Sequence, residues 1–180
     1  DDLWCRRASK LKMIEIDPKN VFFSIENDLL IYNKSEVVLA LHNFSGDFSV
    51  PSGINLIRHS AFNECKGIRS FSSISSSKLT IGNFSFNNCE NLEKIEIKNK
   101  CDVNIGKSSF SFLPKLSSIE IECDCLTLGE RSFEKCTSIS SISFSKVKRI
   151  IIDDCAFYGC LNFETFAVEN ANEISFRKDC

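Results

Sequence analysis

The chain has 180 residues, and its 22 Lys plus Arg against 24 Asp plus Glu leave a formal net charge of −2. That balance excludes the basic footprint of a nucleic-acid or anionic-membrane binder. Hydrophobic residues make up 43%, enough for one domain's core, but the apolar runs, of which Val37–Leu41 is among the longest, fall short of the roughly 18 residues that a membrane helix needs.

Residues 1–20 carry Arg6-Arg7-Ala8-Ser9, a basophilic kinase pattern so short that it commonly arises by accident. Leu11-Lys-Met-Ile14-Glu-Ile16 has the apolar spacing of a degenerate first rung, ended by Pro18. Residues 21–47 predict a β-hairpin, with strands Leu29–Tyr32 and Val37–Leu41 joined by the polar Asn33–Glu36. A strand at Phe48–Val50 then leads into the repeats. Residues 1–56 thus read as an N-terminal capping and hairpin unit, and residues 57–180 as a repeat array.

The array is anchored by Phe62, Phe86, Phe110, Phe133 and Phe157, at intervals of 24, 24, 23 and 24 residues. A fixed period in this range marks a solenoid, in which each repeat supplies one rung and neighbours bury each other's apolar face. Five residues before each Phe stands an aliphatic: Ile57, Ile81, Ile105, Leu128 and Ile152. Gly82, Gly106 and Gly129 follow three of these and read as tight turns with room for positive φ. Three residues after each Phe come Cys65, Cys89, Leu113, Cys136 and Cys160. A slot that accepts leucine is apolar, so the four cysteines read as small buried thiols. The short Phe-x-x-Cys segments are expected to be helical or 3₁₀ turns. An apolar triplet follows, as in Leu92, Ile95 and Ile97; its first copy, Ile68, Phe71 and Ser73, is degenerate at the last position. The triplet alternates as a half-buried strand does. A second strand per rung is expected at Leu79–Ile81, Val103–Ile105, Leu126–Leu128 and Ile150–Ile152, with the serine-rich Ser72–Ser77 as a loop between strands.

Catalytic and metal-binding signatures are missing. There is no Gly-x-Ser-x-Gly elbow, phosphate loop, His-Glu-x-x-His pair or EF-hand, and His42 and His59 have no partners at catalytic or zinc-ligand spacing. The expectation is a non-enzymatic protein with no cofactor and no metal. Six cysteines lie outside the repeat slot: Cys5, Cys101, Cys123, Cys125, Cys155 and Cys180. Adjacent rungs bring Cα atoms near 5 Å, so Cys101 could bridge Cys123 or Cys125 in an oxidising compartment, with free thiols the alternative. Sequons at Asn33, Asn43 and Asn83 match the chance number, about 2.5, for a chain with 15 Asn and 30 Ser plus Thr. The start, Asp1–Cys5, is no signal peptide, and Phe176–Cys180 falls inside what would be another repeat, so the chain reads as a segment of a longer protein.

The repeat resembles that of the BspA-type leucine-rich repeat family, whose unit runs I-G-x-x-A-F-x-x-C-x-x-L-x-x-I-x-I. The likeness covers Ile57 to Val168 in five units, and residues 14–54 resemble the hairpin-bearing unit that precedes such repeats. It implies a β-rich, right-handed leucine-rich-repeat horseshoe or rod with short helical turns. The family occurs among surface proteins of host-associated bacteria and parasitic protists. The resemblance therefore implies a protein-interaction module at the cell surface or secreted, adhering to a host-cell or matrix protein. The alternative is a cytoplasmic scaffold of the same fold.

In such a horseshoe the triplet strand lines the concave face. Its outward positions form columns: Ser70, Lys94, Ser118, Ser141 and Thr165; then Ser72, Glu96, Glu120, Ser143 and Ala167; then Lys98, Glu122, Ser145 and Glu169. The candidate binding surface is hydroxyl-rich, with an acidic cluster at Glu96, Glu120 and Glu122 offset by Lys94 and Lys98. It is expected to suit a mildly basic protein partner, with no aromatic hot spot.

Overall fold

The structure, a computed structural model, describes residues 11–41 and 43–177. Cys5, the Arg6–Ser9 motif, His42 and Cys180 lie outside them. The strands, in chain order, are β1 (Phe23–Glu26), β2 (Leu29–Tyr32) and β3 (Glu36–Ala40), then β4 (Gly46–Ser49) and β5 (Leu56–Ile57), β6 (Ile68–Ser75) and β7 (Leu79–Ile81), β8 (Lys94–Asn99) and β9 (Val103–Ile105). The last three pairs are β10 (Ser118–Glu122) and β11 (Cys125–Leu128), β12 (Ser141–Ser145) and β13 (Arg149–Ile152), β14 (Thr165–Val168) and β15 (Glu173–Phe176). From β4 onward the strands alternate between two sheets. One holds β4, β6, β8, β10, β12 and β14; the other runs β1-β2-β3-β5-β7-β9-β11-β13-β15. Every pairing after β3 is parallel, as a coil that always advances the same way requires.

The N-terminal unit is a three-stranded antiparallel meander rather than a single hairpin. Asn27-Asp28 and Asn33-Lys34 join its strands, all four residues with φ between 48° and 63°. Two left-handed residues in a row are what a type I′ hairpin needs, and Asn and Asp tolerate them best. Strand β3 also pairs in parallel with β5, so the meander hands its outer strand directly to the stack.

The second strand of each rung lies where the aliphatic slots placed it. Inward positions are fully buried and outward ones half-buried or exposed, as in β10, β12 and β13. The phenylalanine ladder is also as expected. Rings of Phe62, Phe86, Phe110, Phe133 and Phe157 stack at centroid distances of 4.7, 4.9, 5.5 and 5.5 Å, with interplanar angles of 13° or less. Phe62 to Phe133 are buried; Phe157, in the last rung, is half-buried. Cys65, Cys89 and Cys136 are buried beside them, Cys160 half-buried, and Leu113 fills the slot in the third rung. Three of the thiols donate backward to the preceding rung: Cys89 to the Phe62 carbonyl at 3.1 Å, Cys136 to that of Phe110 at 3.0 Å, and Cys160 to that of Phe133 at 3.1 Å. The slot is therefore apolar in size and weakly polar in use. Ser73, the degenerate triplet position, is buried and bonded to Asn99 at 2.9 Å.

Two further expectations are corrected. No helix occurs among the described residues, and the Phe segments are not helical or 3₁₀ turns. Residues two before and two after each Phe are left-handed: Ser60 and Glu64, Phe84 and Asn88, Ser108 and Phe112, Arg131 and Lys135, Cys155 and Gly159. Left-handed residues at that spacing break any right-handed turn. The backbone instead alternates between a local turn bond, as in Cys65 N–H to the Phe62 carbonyl at 2.9 Å, and a bond to the next rung, as in Phe62 N–H to the Ser85 carbonyl at 2.7 Å. The turns so form a third hydrogen-bonded wall. The repeat glycines, Gly82, Gly106 and Gly129, do not have positive φ. They are glycines because of close approach. A Cβ on Gly106 would lie 2.8 Å from both the Asn83 nitrogen and the Gly82 carbonyl carbon, and one on Gly129 would lie 2.8 Å from Gly106.

The single 23-residue interval has a definite place. Glu122 pairs with Lys98, 24 residues back, but Leu126 pairs with Val103, 23 back. The missing residue therefore falls in the corner between β10 and β11, and both sheets keep their register.

Candidate functional site

The outward columns assemble as the triplet spacing requires, on one face of the six-stranded sheet. Ser70, Lys94 and Ser118 stand opposite one another, as do Ser141 and Thr165. Ser72, Glu96, Glu120 and Ser143 form the next row, continued by Ala167. Lys98, Glu122 and Ser145 form the third. Parallel pairing in register brings like positions close, so every row is a rung-to-rung contact.

Charge is matched at short range. Lys94 Nζ donates to Glu96 Oε2 and Lys98 Nζ to Glu96 Oε1, both at 2.6 Å. Lys98 also lies 3.8 Å from Glu120, and Lys146 Nζ meets Glu122 at 2.8 Å. The hydrogen bond from Lys94, then that from Lys98, pulls the Glu96 carboxyl down to about 2. The bond to Glu96, followed by the charges of Glu120 and Glu96, pushes Lys98 upward. Lys146 follows the strand rather than lying in it, so the column reading missed it; its place 24 residues after Glu122 was the available signal. With Lys146 counted, three glutamates face three lysines. The acidic cluster is thus neutralised in place and gives no excess that would favour a basic partner. Such solvent-exposed pairs are screened and contribute little to stability, so they fix side-chain positions more than they stabilise the fold.

The remaining lining is short and polar. Ser70 Oγ donates to Asp47 Oδ1 at 2.6 Å, while Ser118, Ser141 and Thr165 are exposed and Ser72 and Ser143 half-buried. The columns also omit one apolar group. Ile74, 79% exposed, stands opposite Lys98 at the head of the third row. The Ser72–Ser77 segment is not the loop its serines suggest, because β6 runs through Ser75 and carries Ile74 outward.

The described residues hold no group of three or more His, Cys, Asp or Glu placed to ligate a metal. His59 packs edge-on to Phe84 at 5.5 Å. None of the eight described cysteines is in a disulfide, Cys101, Cys123 and Cys125 included. Cys101 instead donates to the Ser76 carbonyl at 2.9 Å. Burial pushes Cys123 up to about 12 and raises Cys65, Cys89, Cys136 and Cys160 as well. Asn33, Asn43 and Asn83, the three sequon asparagines, are exposed. No described helix is long and apolar enough to cross a membrane.

Known proteins resemble the chain at two levels. No curated protein sequence matches it. Among solved structures, the crystal structure of a leucine-rich repeat protein from T. pallidum aligns with a TM-score of 0.52 at 18% identity, over 91% of this chain and 86% of that one. At that identity the likeness shows the fold alone. The family model described as BspA type leucine-rich repeat region, six copies, matches residues 42–164. With more than half of the chain matched, the protein belongs to the BspA-type leucine-rich repeat family.

Proposed function

We propose that the protein is a non-enzymatic interaction module that engages a protein partner through the outer face of its six-stranded sheet. The observation that carries this reading is the face itself. Five successive strands, β6 to β14, hold Ser70, Ser72, Lys94, Glu96, Lys98, Ser118, Glu120, Glu122, Ser141, Ser143 and Thr165 in register on a stiff surface. A rigid array of short hydroxyls and ordered ion pairs loses little side-chain entropy on binding. The ion pairs supply register and rejection of mismatched surfaces more than affinity. Ile74 offers an apolar contact at one edge.

The finer reading is a surface or secreted protein that contacts a host-cell or matrix protein, in line with the surface proteins that share this repeat. Half-exposed thiols at Cys101 and Cys125, neither of them in a disulfide, favour a second reading, a cytoplasmic scaffold that holds protein partners. Binding of the purified chain to intact host cells and immobilised matrix proteins, beside capture from cytosolic lysate, separates the two. Glu120→Lys with Glu122→Lys turns the charge-matched face basic and breaks its pairing pattern, while sparing Glu96, which holds two lysines. It is expected to weaken binding at least about tenfold and leave the melting temperature nearly unchanged. Unchanged binding moves the site off this face.

A further inference from the structure

Lysines on the candidate face and lysines at its edge are held differently. On the face, Lys94, Lys98 and Lys146 each meet a carboxylate. At the corner where the face ends, Lys34, Lys78 and Lys100 are exposed, and none of them has an ion pair among the described residues. The three stand on neighbouring turns of the coil. Asn55 N–H donates to the Ser35 carbonyl and Thr80 N–H to the Asn55 carbonyl, both at 2.9 Å, so Lys34 and Lys78 lie on either side of the corner at Pro51–Leu56. Lys100 N–H donates to the Ser75 carbonyl at 2.8 Å, one rung further on. Asp102, which the register sets beside Lys78, makes no ion pair with it, and Glu36 is taken by Arg58 at 2.6 Å. The corner therefore carries an excess of positive charge that the face does not.

The same corner has an apolar step. Phe48 pairs with Phe71 and Ile57 with Ile81, so the connection from β4 to β5 is one residue shorter than that from β6 to β7. Strand β6, eight residues long, runs past the end of β4; the last backbone bond between those two rungs on this side is Val50 N–H to the Ser72 carbonyl at 2.9 Å. Ile74 lies just beyond that bond and is carried outward, with Lys98 as its neighbour in the sheet. Around the corner, Asn55, Leu56, Ser77, Lys78 and Thr80 line an open recess of about 450 Å³. A lone exposed isoleucine is ordinary; an isoleucine beside a recess and three unpaired cations is a patterned surface.

We infer that this corner anchors the partner by receiving a short acidic segment of it. An apolar side chain of that segment packs on Ile74 and the recess, and its carboxylates answer Lys34, Lys78 and Lys100. The inference rests on the reading of the chain as a protein-binding module and adds the chemistry of what is bound. Lys34 to Lys100 covers three strand spacings, roughly 15 Å at about 4.8 Å each, which about five extended residues span. A sulfated polysaccharide or a nucleic acid would answer the lysines and leave Ile74 unused, so a peptide is the better fit. The polarity is opposite to that expected from the glutamate columns, because those glutamates already hold lysines.

A phage library of random peptides of about 12 residues, panned on the 180-residue chain, tests this. Enriched peptides are expected to place Asp or Glu on both sides of an apolar residue, and synthetic copies should bind several-fold more weakly at about 300 mM than at about 50 mM salt. Ile74→Ser should weaken binding at least about fivefold, and Lys78→Glu with Lys100→Glu at least about tenfold, with circular dichroism unchanged because all three positions are exposed. Glu120→Lys with Glu122→Lys should not weaken it. Enriched peptides without acidic residues overturn the inference, as does binding that survives the corner variants. Loss on the Glu120 and Glu122 changes alone puts the peptide on the sheet face, which ends this inference and leaves the proposed function standing. Binding that needs the lysines and ignores Ile74→Ser marks a general polyanion site and overturns it too.

Discussion

Removing two hydroxyls from the core should make this protein more stable. Ala61, Ser85, Ser109, Ser132 and Ala156 each precede a ladder phenylalanine and occupy one slot in successive rungs. All five are buried. Ser85 is satisfied, since its Oγ donates toward the carbonyls of Gly82 at 2.6 Å and Arg58 at 3.0 Å. Oγ of Ser109 and of Ser132 has no hydrogen-bond partner among the described residues. A buried hydroxyl left unpaired costs about 1–3 kcal/mol, and Ala61 and Ala156 show that a methyl fits the slot. Ser109→Ala and Ser132→Ala are therefore each expected to stabilise by about 1 kcal/mol, the low end allowing for the atom removed. The pair should give about 2 kcal/mol, less any coupling between adjacent rungs. For a chain of this size that is a rise of about 4–8 °C in melting temperature. Ser85→Ala is the internal contrast; it loses real bonds and should cost about 1 kcal/mol. Urea titration followed by circular dichroism reads all four proteins, with an unchanged slope guarding against a shift in the unfolded state. If Ser109→Ala and Ser132→Ala lower the midpoint as Ser85→Ala does, the hydroxyls have partners, such as a buried water, and the reasoning fails.

Three further outcomes rest on the same geometry. Gly106→Ala should destabilise by about 1–3 kcal/mol, because its Cβ meets backbone of the preceding rung that cannot retreat, and a lowered urea midpoint reads the loss. Glu96 has its carboxyl pulled from 4.5 to about 2, so its contribution is complete above its unfolded value and fades as pH falls from about 4.5 through about 2. Glu96→Gln should therefore lose less stability than the wild type across that window, and equal losses would show that the two lysine bonds are not made in solution. Alkylation of the native protein at mildly alkaline pH, read by peptide mass spectrometry, should label Cys101, Cys125 and Cys155 within the time that leaves Cys89, Cys123 and Cys136 untouched, since burial both hides these thiols and opposes their ionisation.

Much of the fold can be read directly because it repeats. Phe62 to Phe157 declare the rung, and the alternation of Ile95, Ile97, Ile119 and Ile121 with charged residues declares which side faces in. That alternation also places the columns from Ser70 to Thr165, because parallel pairing in register converts a sequence period into a spatial row. The turns resist the same reading. Their shape depends on left-handed residues at Ser60, Phe84, Ser108, Arg131 and Cys155, four different residue types, none of them glycine. No local preference marks these positions; the hydrogen bonds between rungs impose the conformation, and those exist only once the stack forms. Gly82, Gly106 and Gly129 mislead for a related reason, since the partner each glycine accommodates lies a whole rung away. Lys146 escapes because it lies outside the alternating strand and reaches back to Glu122 from the corner.

The short corner between β10 and β11 has a consequence for how such chains change length. A residue deleted within a strand would turn every later side chain in that strand to the opposite face. Between Glu122 and Leu126 a residue is dropped, yet Glu120 still pairs with Ser143 and Thr127 with Ile151. The cost is confined because each sheet closes its own ladder and the corner only has to bridge them. Insertions and deletions in this architecture should therefore accumulate at sheet-to-sheet corners, and a peptide grafted beside Asp124 would project sideways from the rod without changing the phase of any rung.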